Sequence, residues 1–244
     1  MTEPAIRLQR LSKNFGDVRV LREIDLDIPE GRCLGLAGVN GAGKTTLIRC
    51  LLDFCLPDAG TINIYGIDHH QPRARSRLVY LPERFIPPHF LTGGEFVRMM
   101  LKMFGVAFDA HRTNAMLEAI DLDTAALDRP VREYSKGMTQ KLGLAACLLS
   151  ERDLYILDEP MSGLDPKARA HARDLLLTLR KQGHTLLLTS HSLADIEEIC
   201  DHMAVLHRGR LAYAGPPRGL CERTGESSLQ RAFLNCIETM EHHA

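Results

Sequence analysis

Apolar and polar residues alternate at the start of the chain: Ile6 and Leu8, then Ile24, Leu26 and Ile28, occupy every second position on either side of Gly16-Asp17. A period of two puts such residues on one face of a strand, so residues 6–11, 18–21 and 23–28 read as an antiparallel β start. Shorter runs at 33–37, 78–81, 154–157 and 185–188 are apolar almost throughout. Their length and their Gly, Pro or acidic ends predict short strands. Residues 61–65, stopped by Gly66, and a hairpin of 203–207 and 211–214 about Arg208-Gly209 complete the strand set.

Between 84 and 150 the pattern changes to that of helices. Thr92-Gly93-Gly94-Glu95 has the form of a capping box ahead of Phe96, Val97, Met99, Met100, Met103 and Phe104, and Gly105 stops the run. The methionine stripe reads as core, with an apolar surface for a partner helix as the other candidate. Asp109 predicts the cap of a helix through Ile120, and Ser135 the cap of a nearly all-apolar helix containing Leu142, Leu144 and Leu148. Asp165-Pro166 starts a helix that buries Ala168, Ala172, Leu175, Leu176 and Leu179 and closes at Gly183; Ser192 starts another. Pro216-Pro217 begins a C-terminal tail. Within it, 227–237 reads as a short amphipathic helix, either packed on a partner or lying free on the surface.

With 244 residues the chain can bury a full core, and it fits one large domain better than two. Lys+Arg 30 against Asp+Glu 31 leaves a formal charge of -1, so no global positive field draws it to nucleic acid or anionic lipid. No run approaches the roughly 18–20 apolar residues that span a bilayer, and Met1-Thr2-Glu3-Pro4 lacks a leader pattern, which predicts a cytoplasmic protein. The 7 cysteines include no C-x-x-C pair and several sit in apolar runs, so reduced thiols are expected, without disulfides or a zinc site. His69-His70 and His242-His243 read as surface pairs, not as metal ligands.

Candidate chemistry centres on Gly38-Val39-Asn40-Gly41-Ala42-Gly43-Lys44-Thr45-Thr46, between the 33–37 run and the helix-period residues Leu47, Ile48, Leu51 and Leu52. In that strand-loop-helix setting G-x-x-x-x-G-K-[ST] is a phosphate cradle. Its glycines let backbone N–H groups turn toward an anion, Lys44 reaches the β- and γ-phosphates, and the Thr45 hydroxyl can ligate Mg²⁺. A nucleoside triphosphate is the natural ligand. The 154–157 run ends in Asp158 and Glu159; successive strand residues point to opposite sides, so separate tasks are expected, Mg²⁺ for Asp158 and the attacking water for Glu159. The 185–188 run delivers Ser190-His191 at its carboxyl end, where ligands of parallel sheets bind, so His191 is placed to touch a γ-phosphate. Ser135-Lys136-Gly137 offers a second anion site or simply a helix cap. Phe15, beside the first turn, reads as a hairpin packing residue or as an aromatic that stacks on a nucleobase.

Taken in order, these motifs resemble the nucleotide-binding subunit of an ATP-binding cassette (ABC) transporter, over residues 6–214. The resemblance implies an α/β fold, a P-loop NTPase cassette with a mainly parallel sheet core, an N-terminal antiparallel β subdomain and an α-helical subdomain. It implies one domain over 6–239, with the helical part at 84–150 and a tail at 215–244. By the same resemblance Phe15 stacks on adenine, residues 38–46 form the Walker A loop, and Glu83 occupies the Q-loop position near Mg²⁺. Ser135 and Gly137 belong to the signature, Asp158 is the Walker B aspartate, Glu159 the catalytic glutamate, Asp165 the D-loop aspartate and His191 the switch histidine. ATP and Mg²⁺ are the implied cofactors. The implied partners are a second cassette, whose signature closes over ATP held by the first, and an integral membrane permease that holds the pair on the inner face of the cell membrane. Nucleic acid is not expected.

Three departures stand out. Glu83 replaces the usual glutamine, Lys136 and Met138 stand where Gly and Gln are common, and Val39 replaces a frequent proline. Leu81-Pro82-Glu83 with Tyr134-Ser135-Lys136-Gly137-Met138 resembles the subfamily that serves separately encoded ABC-2 type exporter permeases. The reading is therefore an ATPase subunit that energises transport, in the direction of export. Its rival is a soluble ABC ATPase working in metal-cluster assembly or on nucleic acid or ribosomes; a single cassette without heptads or basic excess disfavours the nucleic-acid version.

Overall fold

Residues 3–242 are described by a computed structural model. β1 (Ile6–Phe15) and β2 (Val18–Ile28) pair antiparallel across Gly16-Asp17, so the segments predicted at 18–21 and 23–28 are one strand. The phase break between them is a β-bulge. Leu21 and Ile24 are both buried although three positions apart, and Glu23, at φ 50 in the left-handed region, takes up the extra residue.

β3 (Cys33–Ala37) leads through the glycine loop into α1 (Lys44–Leu51). β4 (Ala59–Ile64) and the short β5 (Ile67–Asp68) return to the first sheet, whose order is β2-β1-β4-β5. β6 (Leu78–Leu81) then enters a second sheet. α2 (Gly93–Phe104) carries the predicted capping box, and α3 (Ala110–Ala119) is capped by Asp109. α4 (Lys136–Leu148) is capped by Ser135, whose hydroxyl accepts from the Met138 N–H. After these come β7 (Leu154–Asp158), α5 (Pro166–Lys181), β8 (Thr185–Thr189), α6 (Leu193–Ile199), β9 (His202–His207) and β10 (Arg210–Gly215). The second sheet runs β10-β9-β3-β8-β7-β6, parallel except for its β10 edge.

This second sheet is a wall between two apolar cores, which explains why its strands are apolar at every position instead of alternating. Leu154 and Ile156 enter the core shared with the antiparallel sheet and α1, while Tyr155 and Leu157 enter the core shared with the helices. β8 divides in the same way, Leu187 to one side and Leu186 with Leu188 to the other. Both faces being covered, the sheet offers ligands only its strand ends.

The methionines of α2 split between the two expectations. Phe96, Val97 and Leu101 form its buried stripe, Met99 and Met100 are half-buried at its margin, and Met103 is exposed. The C-terminal segment does not lie free on the surface. α7 (Pro217–Thr224) and α8 (Leu229–His242) are consecutive helices, and α8 packs on α6, β9 and β10 of its own chain, burying Leu229, Ala232 and Cys236. Apolar residues at 229, 232 and 236 recur at helical spacing, so their stripe needed cover, and the β9–β10 hairpin supplies it. His69 is buried, against the expectation of a surface pair, because its backbone N–H bonds Ile62 and turns it under β4; His70 is exposed. His243 lies outside the described residues. All 7 cysteines are free. Among the described residues no helix is long and apolar enough to cross a membrane.

Candidate nucleotide site

The strand order brings the site together. β3, β8, β7 and β6 are neighbours, so the segments leaving their carboxyl ends meet: the glycine loop, Ser190-His191, Asp158-Glu159 and Glu83. They line a cleft of about 530 Å³ whose walls include Asn40, Gly41, Ala42, Gly43, Lys44, Thr45 and Thr46, with Glu83, Asp158, Glu159 and His191 opposite.

The loop geometry follows from its glycines. Gly43 has φ 111, and a Cβ there would meet the Val20 carbonyl oxygen at 2.9 Å. At Gly38 a Cβ would lie 2.4 Å from the Leu206 carbonyl oxygen, so the loop can press against β9 only with glycine there. No side chain caps α1, which leaves its first N–H groups and its positive dipole end free for an anion. Lys44 Nζ donates to the Gly38 carbonyl at 2.6 Å and so lies folded over the cradle. Burial pulls its pKa down, against the opposing carboxylates of Glu159, Asp158 and Glu83.

Asp158 and Glu159 face the same cleft, which corrects the expectation drawn from strand alternation. β7 ends at Asp158, and Glu159 adopts φ 51, in the left-handed region that a non-glycine residue occupies at a cost of about 1–3 kcal/mol. Thr189, paired with Asp158 in register, fixes both. Its hydroxyl donates to Asp158 Oδ1 at 2.7 Å and accepts from the Glu159 N–H at 2.9 Å. Gln140, also buried, donates from the start of α4 to the Pro160 carbonyl at 3.0 Å. Sequence reading missed both; the one available signal was the Thr189 hydroxyl closing an apolar run, and Gln140, between Thr139 and Lys141, carried none.

Burial pushes both carboxyl groups above the usual carboxylate range; Lys44 works against this in both, with the Thr189 bond for Asp158 and His191 for Glu159. Glu159 Oε1 is buried without a hydrogen-bond partner, and His191 Nε2 lies 3.4 Å from it. A buried carboxylate oxygen that makes no hydrogen bond in a cleft is suited to a water or a cation. The donor set here, the Thr45 hydroxyl with two or three carboxylates, consists of hard oxygens and fits Mg²⁺ better than a thiophilic metal.

The remaining predicted residues lie elsewhere. Phe15 is exposed at the β1–β2 turn with Lys13 Nζ 5.3 Å from its ring centroid, and it does not line the cleft. Val39 is exposed on the loop. Ser135, Gly137 and Asp165 sit at the starts of α4 and α5, outside the cleft. There the two starts pack together: a Cβ on Gly137 would meet the Gly163 carbonyl oxygen at 3.1 Å.

The family model described as ABC transporter matches residues 21–162. The chain belongs to the ABC transporter family. It is 38% identical over 201 residues to an uncharacterized ABC transporter ATP-binding protein of Synechocystis sp., covering 81% of this chain and 57% of that one. It is 37% identical over 222 residues to Nod factor export ATP-binding protein I of Ralstonia nicotianae, covering 89% of this chain and 68% of that one. A solved structure described as the ATP binding subunit of an ABC transporter superposes with a TM-score of 0.89 at 28% identity, covering 95% of this chain and 99% of that one. A dimeric ATP-binding cassette in a post-hydrolysis state, bound to ADP and Pi, shares the fold with a TM-score of 0.78 at 19% identity, over 86% of this chain and 98% of that one. The α/β P-loop cassette fold expected from the motifs is thus the fold observed, and the chain is an ABC ATPase subunit.

Proposed function

We propose that this chain drives export through a separate integral membrane permease, working with a second cassette so that each ATP lies between the glycine loop of one and the signature of the other. The supporting observation is the division of the predicted site: one set of residues shares a cleft, while Ser135, Gly137 and Asp165 sit outside it on the starts of α4 and α5. A second copy, or a sister cassette, is the natural supplier of the missing half. The relatives named for Nod factor export give the direction.

In this reading residues 6–239 act as one cassette. The glycine loop and Lys44 hold the phosphates, Phe15 stacks on the base, and Thr45, Asp158 and Glu83 hold Mg²⁺. The metal would neutralise charge on the β- and γ-phosphates. Glu159 accepts the proton of the attacking water, and Lys44 and His191 stabilise charge on the phosphoryl group, so that ATP and water become ADP and phosphate. The permease would seat against the 84–150 helices, where Ile86 and Phe90 are exposed beside a groove formed with Tyr134 and Gln140. Such a chain works in the cytoplasm, bound peripherally to the membrane through the permease.

The test is a pull-down of tagged Glu159→Gln chain with ATP and Mg²⁺ from gently solubilised membranes, read by mass spectrometry. Recovery of a polytopic membrane protein in stoichiometric amount supports export or import through a permease. Recovery of soluble partners alone overturns it in favour of a non-transport ABC ATPase.

A further inference from the structure

On the side of α1 away from the glycine loop, three potential metal ligands converge from separate segments. Asp53 follows α1 in the left-handed region at φ 62, and His69 and His70 follow β5. One ligand atom from each lies within 4.8 Å of the others. We propose that Asp53, His69 and His70 form a binding site for a divalent first-row transition ion such as Zn²⁺, with a fourth position open to water.

The burial of His69 singles this cluster out from an ordinary surface ion pair. The residue is 2% exposed, and neither Nδ1 nor Nε2 makes a hydrogen bond. Asp68 Oδ1 lies 3.5 Å from His69 Nδ1 but is engaged by the His70 backbone N–H at 2.9 Å. A buried polar group without a partner costs about 1–3 kcal/mol, and a metal at an imidazole nitrogen removes that cost.

Donor chemistry and geometry agree with this. Two imidazoles and a carboxylate suit zinc and its neighbours in the first row, and four-coordinate sites with three protein ligands leave one position for water. Tetrahedral ligands are about 3.3 Å apart, so pairs wider than that must close while the His70–Asp53 pair opens by about half an ångström. His70, on the surface, and Asp53 at the end of its helix can supply the adjustment. His70 Nδ1 already lies 2.8 Å from Asp53 Oδ1. Arg75 Nη1 holds the other oxygen, Asp53 Oδ2, at 3.3 Å, the kind of outer contact that orients a ligating carboxylate. Its positive charge also sets the affinity below that of a closed structural site.

The metal would tie the end of the phosphate-loop helix to the antiparallel sheet, about one helix length from the nucleotide. Its binding should therefore read out as stability. The experiment is equilibrium dialysis of the full chain, without nucleotide, against Zn²⁺, with Co²⁺ absorption spectra to separate nitrogen and oxygen ligands from thiolates. Wild type should bind one Zn²⁺ that His70→Ala and Asp53→Asn each weaken at least about tenfold. The Co²⁺ adduct lost in these variants should lack thiolate charge-transfer bands. Melting temperature should rise by about 5–10 °C at a hundredfold excess of Zn²⁺ over the wild-type Kd, and by about half of that or less in the variants at the same Zn²⁺ concentration. His70 is exposed and Asp53→Asn conserves shape, so both variants should fold, as the Tm without metal will report. Zn²⁺ binding that is absent from wild type, unchanged in both variants, or lost together with a thiolate band would overturn the site.

Discussion

Replacing Thr189 with Val removes one hydroxyl and little volume, and Val suits a buried strand as well as Thr does. In this protein that hydroxyl serves two bonds, donating to Asp158 at 2.7 Å and accepting from the Glu159 N–H at 2.9 Å, in a residue with no exposed surface. Losing the acceptor leaves a buried N–H unpaired, at about 1–3 kcal/mol, and losing the donor removes a bond to a charged group worth about 1.5–3 kcal/mol. Because both belong to one hydroxyl, their costs overlap, and the added methyl recovers a little. The net expectation is a loss of about 2–4 kcal/mol in urea unfolding. Activity should fall for a separate reason: the Glu159 N–H bond is what holds that residue at φ 51. Releasing strain of about 1–3 kcal/mol lets it relax out of the cleft, which predicts at least about a tenfold drop in kcat. Thr189→Ser keeps the hydroxyl and should restore most of the activity. A Thr189→Val protein with wild-type stability and turnover would refute the bridging role.

Three further outcomes follow from the same structure. Glu159→Gln should lower ATPase turnover by about 10²–10⁴-fold while ATP and Mg²⁺ drive the chain into a dimer, detectable by light scattering; undiminished turnover would remove Glu159 from its role. The raised pKa of Glu159 means that the folded state binds its proton more readily than the unfolded one, so the charged group weighs against stability above its folded pKa. Glu159→Gln should then raise Tm near neutral pH, with the gap closing as pH falls through that pKa toward the ordinary carboxylate value, and turnover of the native chain should fade at a higher pH than an ordinary carboxylate would dictate. Leu229→Ala, on the buried face of α8, should cost about 2–5 kcal/mol in chemical denaturation; no loss would mean that α8 does not dock on its own cassette.

The chain sequence alone was sufficient for the local features. The glycine loop, the capping box at Thr92, the caps at Ser135 and Asp165 and the apolar strands are written within a few residues, since backbone geometry and short-range hydrogen bonding decide them. Even the grouping of Lys44, Asp158, Glu159 and His191 was legible, because parallel strands deliver ligand-binding residues at their carboxyl ends. Tertiary structure decided whatever depends on who is next to whom. That Thr189 bridges two carboxylate-bearing residues follows from β7 and β8 being neighbours, 31 positions apart in the chain. The burial of His69 depends on its turn beneath β4, and the docking of α8 on the β9–β10 hairpin. The turn of Glu159 into the cleft required the strand to stop at Asp158, before the second carboxylate. In each case the deciding partner is remote in sequence, and periodicity, which reports only which face of an element is apolar, carries no information about what covers it.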